Sequence, residues 1–236
     1  MISLLFLTVT ALAADDALIE GFRLTTVASV SDAVDQITGQ RGFLSHDMRP
    51  RILGPNIPDR FVGRATTALL RATTKEKASA LLSAKHSVEM IDNAQPGSVG
   101  VIVVENGLDV AGMGGLMATA ASARGMAGVL LDGGLRDLAE IRALGLPVFS
   151  RSIAPSSSVS RWASVARDIP VTCGGVVIMP GDYIVAGEDG VVRVPAARAA
   201  EVLKRAQEID VRETNMVPDI KKNKSLGKTV EQYKRI

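Results

Sequence analysis

Arg136 and Asp137 stand side by side in the stretch AGVLLDGGLRDLAEI, residues 127–141, where an apolar strand passes through two glycines into a helix. A guanidinium offers a planar fork that suits a carboxylate, and one carboxylate together with waters and ligand oxygens suits Mg²⁺ or Mn²⁺. The pair could therefore hold a metal and an anionic ligand together. The alternative is structural, since a carboxylate in the first turn of a helix offsets the positive end of the helix dipole.

A second glycine-rich segment, AGMGGLMATAA, precedes another predicted helix. Backbone amides at a helix start bind anions, and glycines let a ligand approach them closely. We therefore single out Gly114, Gly115 and the amides of Leu116 and Met117 as candidate binding groups. The carboxyl ends of neighbouring parallel strands face one crevice, so this loop and the Arg-Asp pair are expected to line one pocket. A GxGG segment is also typical of an ordinary turn.

Other residue types that often do chemistry are scarce. Cys173 is the only cysteine, so neither an internal disulfide nor a cysteine zinc site can form. Its apolar surroundings in IPVTCGGVVIM predict a packed side chain. His46 and His86 fall in polar segments far apart in the chain. With 27 basic and 25 acidic side chains the charge is nearly balanced, which indicates no nucleic-acid-binding surface.

The elements that must position these groups follow from the hydrophobic pattern. Between residues 98 and 152, short β-branched runs alternate with helical segments, as in a parallel α/β layer. Glycine-rich turns divide residues 169–195 into short strands, which predicts hairpins, and a long amphipathic helix follows Pro195. An upstream helix is expected to begin at Ser29 within TTVASVSDAVDQ. The sequence thus predicts a mixed α/β domain with a helical C-terminal extension.

The N-terminus carries an apolar run, MISLLFLTVTALA, which ends in Ala-Leu-Ala and is followed by two acidic residues. This is typical of the apolar core and cleavage site of a secretory signal peptide, and the run is shorter than the roughly 20 residues that span a bilayer. We predict a signal peptide over 1–13, a main domain over 14–205 and an extension over 206–236. The protein would be periplasmic or secreted, with no membrane association after cleavage. No basic residue precedes Arg23, so the alternative is a misassigned start codon and a cytoplasmic protein.

Two long motifs resemble a known family. The run GGLMATAASARGMAGVLLDGGLRDLAEIRALGLPVFSRSIAPSS and the later VTCGGVVIMPGDYIVAGEDGVVRVP are similar to the 4-hydroxy-4-methyl-2-oxoglutarate aldolases, whose family also contains the regulator of RNase E activity. TTVASVSDAVDQ is an upstream match, and the resemblance covers most of residues 20–215. It implies an α/β fold of the αββαβα sandwich type, similar to swivelling β/β/α domains. It also implies a homotrimer or a dimer of trimers, with a site between subunits.

The resemblance implies a reaction as well. The aldolases cleave 2-oxo acids to pyruvate and decarboxylate oxaloacetate with Mg²⁺ or Mn²⁺, so we expect a metal-dependent carbon–carbon lyase acting on a small 2-oxo acid. At the matching positions, Arg136 would bind the substrate carboxylate, Asp137 would hold the metal, and Leu116 and Met117 would supply backbone amides. The alternative is a non-catalytic ring that binds a protein partner.

Acidic residues from a neighbouring subunit complete the site in this family. Asp32 matches one of them, although the spacing Ser29-x-x-Asp32 also fits a capping box at the start of a helix. The other comes from the C-terminal helix. Our assignment is Glu213, with Glu208 and Asp210 as close rivals.

One position departs from the aldolases. In the aldolases twenty residues separate an acidic residue from the Arg-Asp pair; here residues 116–135 are those twenty, so this chain has Gly115 in its place. The RNase E regulators, in contrast, lose the metal-binding acid of the pair, and this chain keeps it as Asp137. The resemblance therefore implies a retained metal site from which part of the proton-transfer machinery is missing. Aldol cleavage needs a base, so it would suffer more than decarboxylation.

Overall fold

The computed structural model describes residues 15–234, apart from the side chain of Lys75. The predicted signal peptide over 1–13 lies outside this range and stays a prediction. Within the range, no helix combines the length and the apolar character needed to cross a membrane.

Strands and helices alternate through the centre of the chain. The strands are β1 Arg49–Pro50, β2 Phe61–Ala72, β3 Val99–Val104, β4 Ala111–Met113, β5 Gly128–Leu135, β6 Val148–Ile153, β7 Trp162–Arg167, β8 Val171–Cys173, β9 Val176–Ile178, β10 Tyr183–Gly187 and β11 Gly190–Val194. The helices are α1 over residues 15–24, α2 Val27–Thr38, α3 Ala80–Asp92, α4 Gly115–Ala123, α5 Leu138–Leu144, α6 Ala199–Asn223 and α7 Leu226–Tyr233.

In the described chain, the main sheet has nine strands in the order β1-β6-β5-β3-β2-β10-β11, with β4 beside β5 and β7 beside β2. Strands β2, β3, β5 and β6 run parallel. β10 is antiparallel to β2 and forms a hairpin with β11, and β8 and β9 form a separate hairpin. The predicted α/β layer, its hairpins and the mixed α/β fold are confirmed.

Neighbouring side chains of the central strands enter different cores, because they point to opposite faces of the sheet. Ile102 and Val104 of β3 pack in the core beneath α3, α4 and α5. Val101 and Val103 of the same strand pack on the other face, against the β8–β9 hairpin and the loop that holds Leu44. The three helices therefore lie on one face of the parallel strands.

A third core forms where α1, α2 and α6 cover β10 and β11. Asp15 of α1 is bound into it, because it accepts hydrogen bonds from the Tyr183 hydroxyl and from Nε of Arg64 at 2.8 Å. The Arg64 guanidinium lies 4.3 Å from the centre of the Tyr183 ring. Polar contacts thus hold the first described turn of the chain against the sheet.

The helix predicted from Ser29 begins earlier, at Val27. Thr26 is the capping residue, since its Oγ1 accepts from the amide of Ser29 at 3.2 Å. Asp210 of α6 accepts in turn from the amide and the hydroxyl of Thr26, at 2.9 and 2.7 Å. Ser29 therefore lies in the first turn, and the capping-box interpretation of Asp32 is wrong.

The long C-terminal helix predicted after Pro195 is present. A 3₁₀ turn over Ala196–Arg198 leads into α6, which continues unbroken past residue 206, and α7 packs beside it. The domain limits at 205 and 206 thus fall within a single helix and stay a prediction.

Candidate functional site

The two glycine-rich strand ends lie next to each other, as the sequence predicted. β4 pairs in parallel with β5, with Met113 opposite Leu135. The amide of Arg136 donates to the carbonyl of Met113 at 3.3 Å, which holds the chain after β5 against the end of β4. The residues that follow each strand, Gly114 and Arg136, therefore meet at one edge of the sheet.

Asp137 occupies the N-cap position of α5 in a left-handed conformation, with φ +59° and ψ 40°. Such a conformation is uncommon for a residue other than glycine. Its side chain forms no capping bond to α5. Instead, its Oδ2 accepts from the amide of Gly115, at 2.9 Å, and lies 3.6 Å from Nε of Arg136.

This geometry corrects the structural interpretation of Asp137. The residue is not in the first turn of its own helix, and its carboxylate faces the start of α4 instead of the start of α5. The carboxylate therefore lies beside the candidate amides of Leu116 and Met117. The Arg-Asp pair and the glycine-rich loop are therefore in direct contact.

Glycine is required at position 114 because the side chains of Asp137 and Arg136 occupy the space that a Cβ would need. Its backbone is extended, with φ −146°, a value that any residue can adopt. A Cβ at this position would lie 2.5 Å from Oδ2 of Asp137 and 2.9 Å from Nε of Arg136. A side chain at 114 would thus displace both charged groups.

Glu140 is a residue that the sequence analysis missed. A Cβ added at Gly115 would overlap its Oε2 and would lie 3.5 Å from Cβ of Asp137. The Glu140 carboxylate therefore occupies the space that an acidic side chain at position 115 would need. A sequence signal existed, because residues three apart in a helical turn lie on the same side and Glu140 follows Asp137 by three positions.

The amides of Leu116 and Met117 belong to the first turn of α4, where a helix leaves its N–H groups without a partner of its own. The first bond within this helix runs from the amide of Ala118 to the carbonyl of Gly114, at 3.0 Å. Leu116 is 90% exposed, whereas Met117 packs on the core beneath α4. Both amides therefore belong to the helix turn whose first amide, that of Gly115, donates to Asp137.

A cavity of about 250 Å³ opens beside this pair. Besides Arg136 and Asp137, it is lined by apolar side chains: Leu135, Leu138, Ile153 and Pro155. Its size fits a small acid better than a cofactor, since pockets for drug-sized ligands span about 300–1,000 Å³.

A larger cavity of about 800 Å³ lies elsewhere at the sheet edge, next to Asp132 and Arg151. Asp132 is already bound, because its oxygens accept from Arg151 at 3.0 Å and from the amide of Gly174 at 2.7 Å. Arg151 also contacts Asp47 at 2.9 Å. These charges are paired with one another and hold β5, β6 and the β8–β9 hairpin together.

Asp32 and Glu213 are not brought to this cavity within one subunit. Asp32 lies on α2 and Glu213 on α6, two helices that pack against each other over β10 and β11. Neither lines the cavity beside Arg136. Of the rival acids, Asp210 caps α2 through Thr26, and Glu208 pairs with Arg205 at 3.1 Å.

Comparison with known proteins identifies the family. The sequence model of the RraA-like family, described as aldolase/RraA, matches residues 27–193. The chain belongs to the RraA-like family. It is 31% identical over 187 residues to a Halalkalibacterium halodurans protein provisionally named 4-hydroxy-4-methyl-2-oxoglutarate aldolase, covering 79% of this chain and 80% of the relative.

Solved structures support the assignment to the RraA-like fold. An uncharacterised protein from Pseudomonas syringae pv. tomato superposes with a TM-score of 0.79 at 28% identity, over 92% of this chain and 94% of its own. RraAS2 of Streptomyces coelicolor, titled an unusual member of the RNase ES inhibitor RraA family, gives a TM-score of 0.73 at 26% identity, over 85% of this chain and 95% of its own.

The donor groups of this RraA-like protein limit which metal it could bind. Among residues 15–234, no group of three or more His, Cys, Asp or Glu side chains is placed to hold an ion. The site beside Gly115 instead offers the carboxylates of Asp137 and Glu140. Mg²⁺ is commonly held by one or two carboxylates with waters and substrate oxygens, so the residues fit such an ion completed by the substrate.

Proposed function

We propose that this protein is a carbon–carbon lyase that depends on a divalent metal, Mg²⁺ or Mn²⁺, and acts on small 2-oxo acids. The observation that carries the proposal is the convergence on Gly114 and Gly115 of a carboxylate, a guanidinium and the start of a helix. The relative named as a 4-hydroxy-4-methyl-2-oxoglutarate aldolase supports the same reaction class.

In the proposed complex, Arg136 binds the substrate carboxylate through its planar fork, and the amides of Leu116 and Met117 face the developing negative charge. Fixed donors of this kind stabilise an anionic transition state without reorganising during the reaction. Asp137 would hold the ion, which when bound would act as a Lewis acid on the 2-oxo oxygen. Gly114 leaves these groups the room to meet.

Aldol cleavage begins when a base takes the proton from the C4 hydroxyl. The C3–C4 bond then breaks, its electron pair moves to C3 to form the enolate of pyruvate, and C4 leaves as a carbonyl product. Protonation at C3 completes pyruvate. We assign Glu140 to position the water that receives the hydroxyl proton, because its carboxylate fills the space above Gly115 where the aldolases carry an acid.

Decarboxylation of oxaloacetate follows the same path with fewer requirements. The bond to the C4 carboxylate breaks, carbon dioxide leaves, and the electron pair forms the same enolate. No hydroxyl has to lose a proton, so the reaction needs Arg136, the amides and the ion, but no base. It is therefore the simplest assay of the site.

We further propose that the active assembly is a homotrimer or a dimer of trimers. Asp32 and Glu213 lie on the α2–α6 layer of the same subunit, away from the cavity beside Arg136. A ring in which this layer of one subunit covers the cavity of the next would bring both acids to the site. Cyclic assemblies produce such head-to-tail contacts.

A second candidate function is a non-catalytic ring that binds a protein. The likeness to RraAS2, titled a member of an RNase inhibitor family, favours it. Export would keep the protein away from a cytoplasmic ribonuclease, so the partner would have to be another protein. If the apolar N-terminal run is a signal peptide, protein from the native host begins near Ala14; cytoplasmic protein with an intact Met1 would contradict the signal peptide.

Oxaloacetate decarboxylation with Mn²⁺, measured for wild type and Asp137→Asn, tests the lyase. We expect wild type to exceed the free-metal background and Asp137→Asn to fall to it. The substitution keeps the shape of the side chain, so the melting temperature should stay within a few degrees. Equal rates above background would refute the role of Asp137, and no metal-dependent rate on any 2-oxo acid would favour the protein-binding ring.

A further inference from the structure

Ile153 forms one wall of the cavity beside Arg136. It is the last residue of β6 and lies opposite Leu135 of β5 in the parallel register, one residue before Arg136. The residue is 54% exposed, although isoleucine is among the most often buried residue types. Leu138 and Pro155 continue the same apolar wall.

The charged side chains that line the cavity can neutralise one anionic group of a ligand. Arg136 is the sole cation among the described residues that line it, and Asp137 lies 3.6 Å from its Nε. A carboxylate bound to Arg136 pairs with that cation, so a second anionic group against Ile153 would meet an apolar surface with no further cationic side chain among the described residues that line the cavity.

We infer that the wall formed by Leu138, Ile153 and Pro155 receives an apolar substituent on C4 of the 2-oxo acid and disfavours a charged one there. The inference rests on the proposed function. With C1 held at Arg136, the other end of a five-carbon acid lies about 5 Å away at the bond lengths of a carbon chain, and Ile153 lines the same cavity as Arg136. Ile153 is therefore a specificity-determining residue.

The test uses two substrates that differ only in the C4 substituent. 4-Hydroxy-2-oxopentanoate carries a methyl group there, and 4-hydroxy-2-oxoglutarate carries a carboxylate of similar size. The measured quantity is the ratio of kcat/KM for the methyl compound to that for the carboxylate compound. A ratio within one preparation does not depend on how much of the protein is folded.

Ile153→Lys places a cation on the wall, and we expect it to lower this ratio at least fivefold, since a single methylene in an apolar pocket can already contribute about 10–200-fold to discrimination. Ile153→Ala should lower the ratio in the same direction by a smaller factor. The matched control is Val165→Lys, at a branched apolar residue of β7 that is 43% exposed and does not line this cavity. Its ratio should equal that of wild type.

A change of less than fivefold in Ile153→Lys overturns the inference. If that variant also changes the size of the assembly in sedimentation, Ile153 belongs to a contact between subunits. Oxaloacetate decarboxylation is measured in parallel. If wild type decarboxylates oxaloacetate and the substrate ratio of Ile153→Lys equals that of wild type, the inference fails and the proposed function stands. With no metal-dependent turnover of any of the three acids in wild type, the proposed function fails and the inference with it.

Discussion

The amide of Gly115 donates a hydrogen bond of 2.9 Å to Oδ2 of Asp137, and this bond joins the starts of two different helices, α4 and α5. It places a carboxylate at the positive end of α4, where negative charge is stabilised. The same bond sets Asp137 beside the amides of Leu116 and Met117. The groups assigned to the metal and to the substrate are therefore coupled through one backbone amide.

Gly114→Ala should damage the site without unfolding the protein. The added Cβ would lie 2.5 Å from Oδ2 of Asp137 and 2.9 Å from Nε of Arg136, so both groups must move. Because displacement of reacting groups by about 1 Å can reduce a rate by about 100-fold, we expect kcat/KM for oxaloacetate to fall by about 10–100-fold. Gly227→Ala on α7 is the control, since nothing lies within 4 Å of an added Cβ there. Wild-type kcat/KM in Gly114→Ala would contradict this account.

Arg136→Lys should separate substrate binding from metal binding. Lysine keeps the charge and loses the planar fork that binds a carboxylate through two hydrogen bonds. We expect KM for oxaloacetate to rise by about tenfold, which corresponds to about 1.4 kcal/mol. The Kd for Mn²⁺, measured by titration in the absence of substrate, should stay within about twofold. An unchanged KM would mean that Arg136 does not contact the substrate.

An acidic side chain at position 115 should be able to take over the role of Glu140. Glu140→Ala is expected to lower aldol cleavage more than decarboxylation, because only cleavage needs a base. Gly115→Asp alone would clash with the Glu140 carboxylate and should lower both activities. The double variant, Gly115→Asp with Glu140→Ala, should recover a higher ratio of aldol cleavage to decarboxylation than Glu140→Ala alone.

The control for this exchange is Glu140→Gln, which keeps the size of the side chain and removes its charge. It should resemble Glu140→Ala in the ratio of the two activities. A ratio equal to that of wild type in both variants would show that position 140 plays no part in proton transfer.

Mixed assemblies should reveal a site shared between subunits. Asp137→Asn and Asp32→Asn subunits are each expected to be inactive in aldol cleavage. When they are unfolded together and refolded as a mixture, roughly a quarter of the sites in a cyclic assembly combine the two intact residues. Recovery of activity, with sedimentation as a trimer or its multiple, is the expected result. An active monomer, or no recovery in a mixed trimer, would contradict a shared site.

The contact of Asp15 with Arg64 and Tyr183 should make stability depend on pH. Burial raises the pKa of Asp15, but hydrogen bonds from Arg64 and Tyr183 outweigh it and hold the pKa below its usual value. A carboxylate with a lowered folded pKa stabilises the protein above its unfolded pKa, about 3.9, and this stability is lost as the pH falls through the folded value.

Asp15→Asn should therefore lower the free energy of unfolding at pH 7 by about 1–2 kcal/mol, as expected for partly exposed hydrogen bonds to a charged group. The difference from wild type should shrink at pH 3. Urea unfolding at both pH values measures it, and Asp16→Asn, at the exposed neighbouring residue, is the control. A difference that is independent of pH would show that the charge of Asp15 does not stabilise the fold.

Much of the architecture followed from local sequence. The β-branched runs around Val101 and Leu130 alternate with helical segments, and this alternation predicted the parallel layer that is observed. The glycines at 114 and 115 were expected to meet the pair at 136 and 137, because parallel strands end at the same edge, and the bond from Gly115 to Asp137 joins them. These features depend on periodicity and on chain direction, which a sequence carries directly.

The tertiary structure decided which groups the acids contact. Asp137 turns towards α4 because of its left-handed backbone and the pairing of Met113 with Leu135, and neither is encoded in the residues beside it. The Glu140 carboxylate, which belongs to α5, occupies the space over Gly115 at the start of α4. Asp210, which lies 184 residues further along the chain than Thr26, caps α2 through that residue. Contacts between elements distant in sequence depend on how those elements pack, so only the folded chain specifies them.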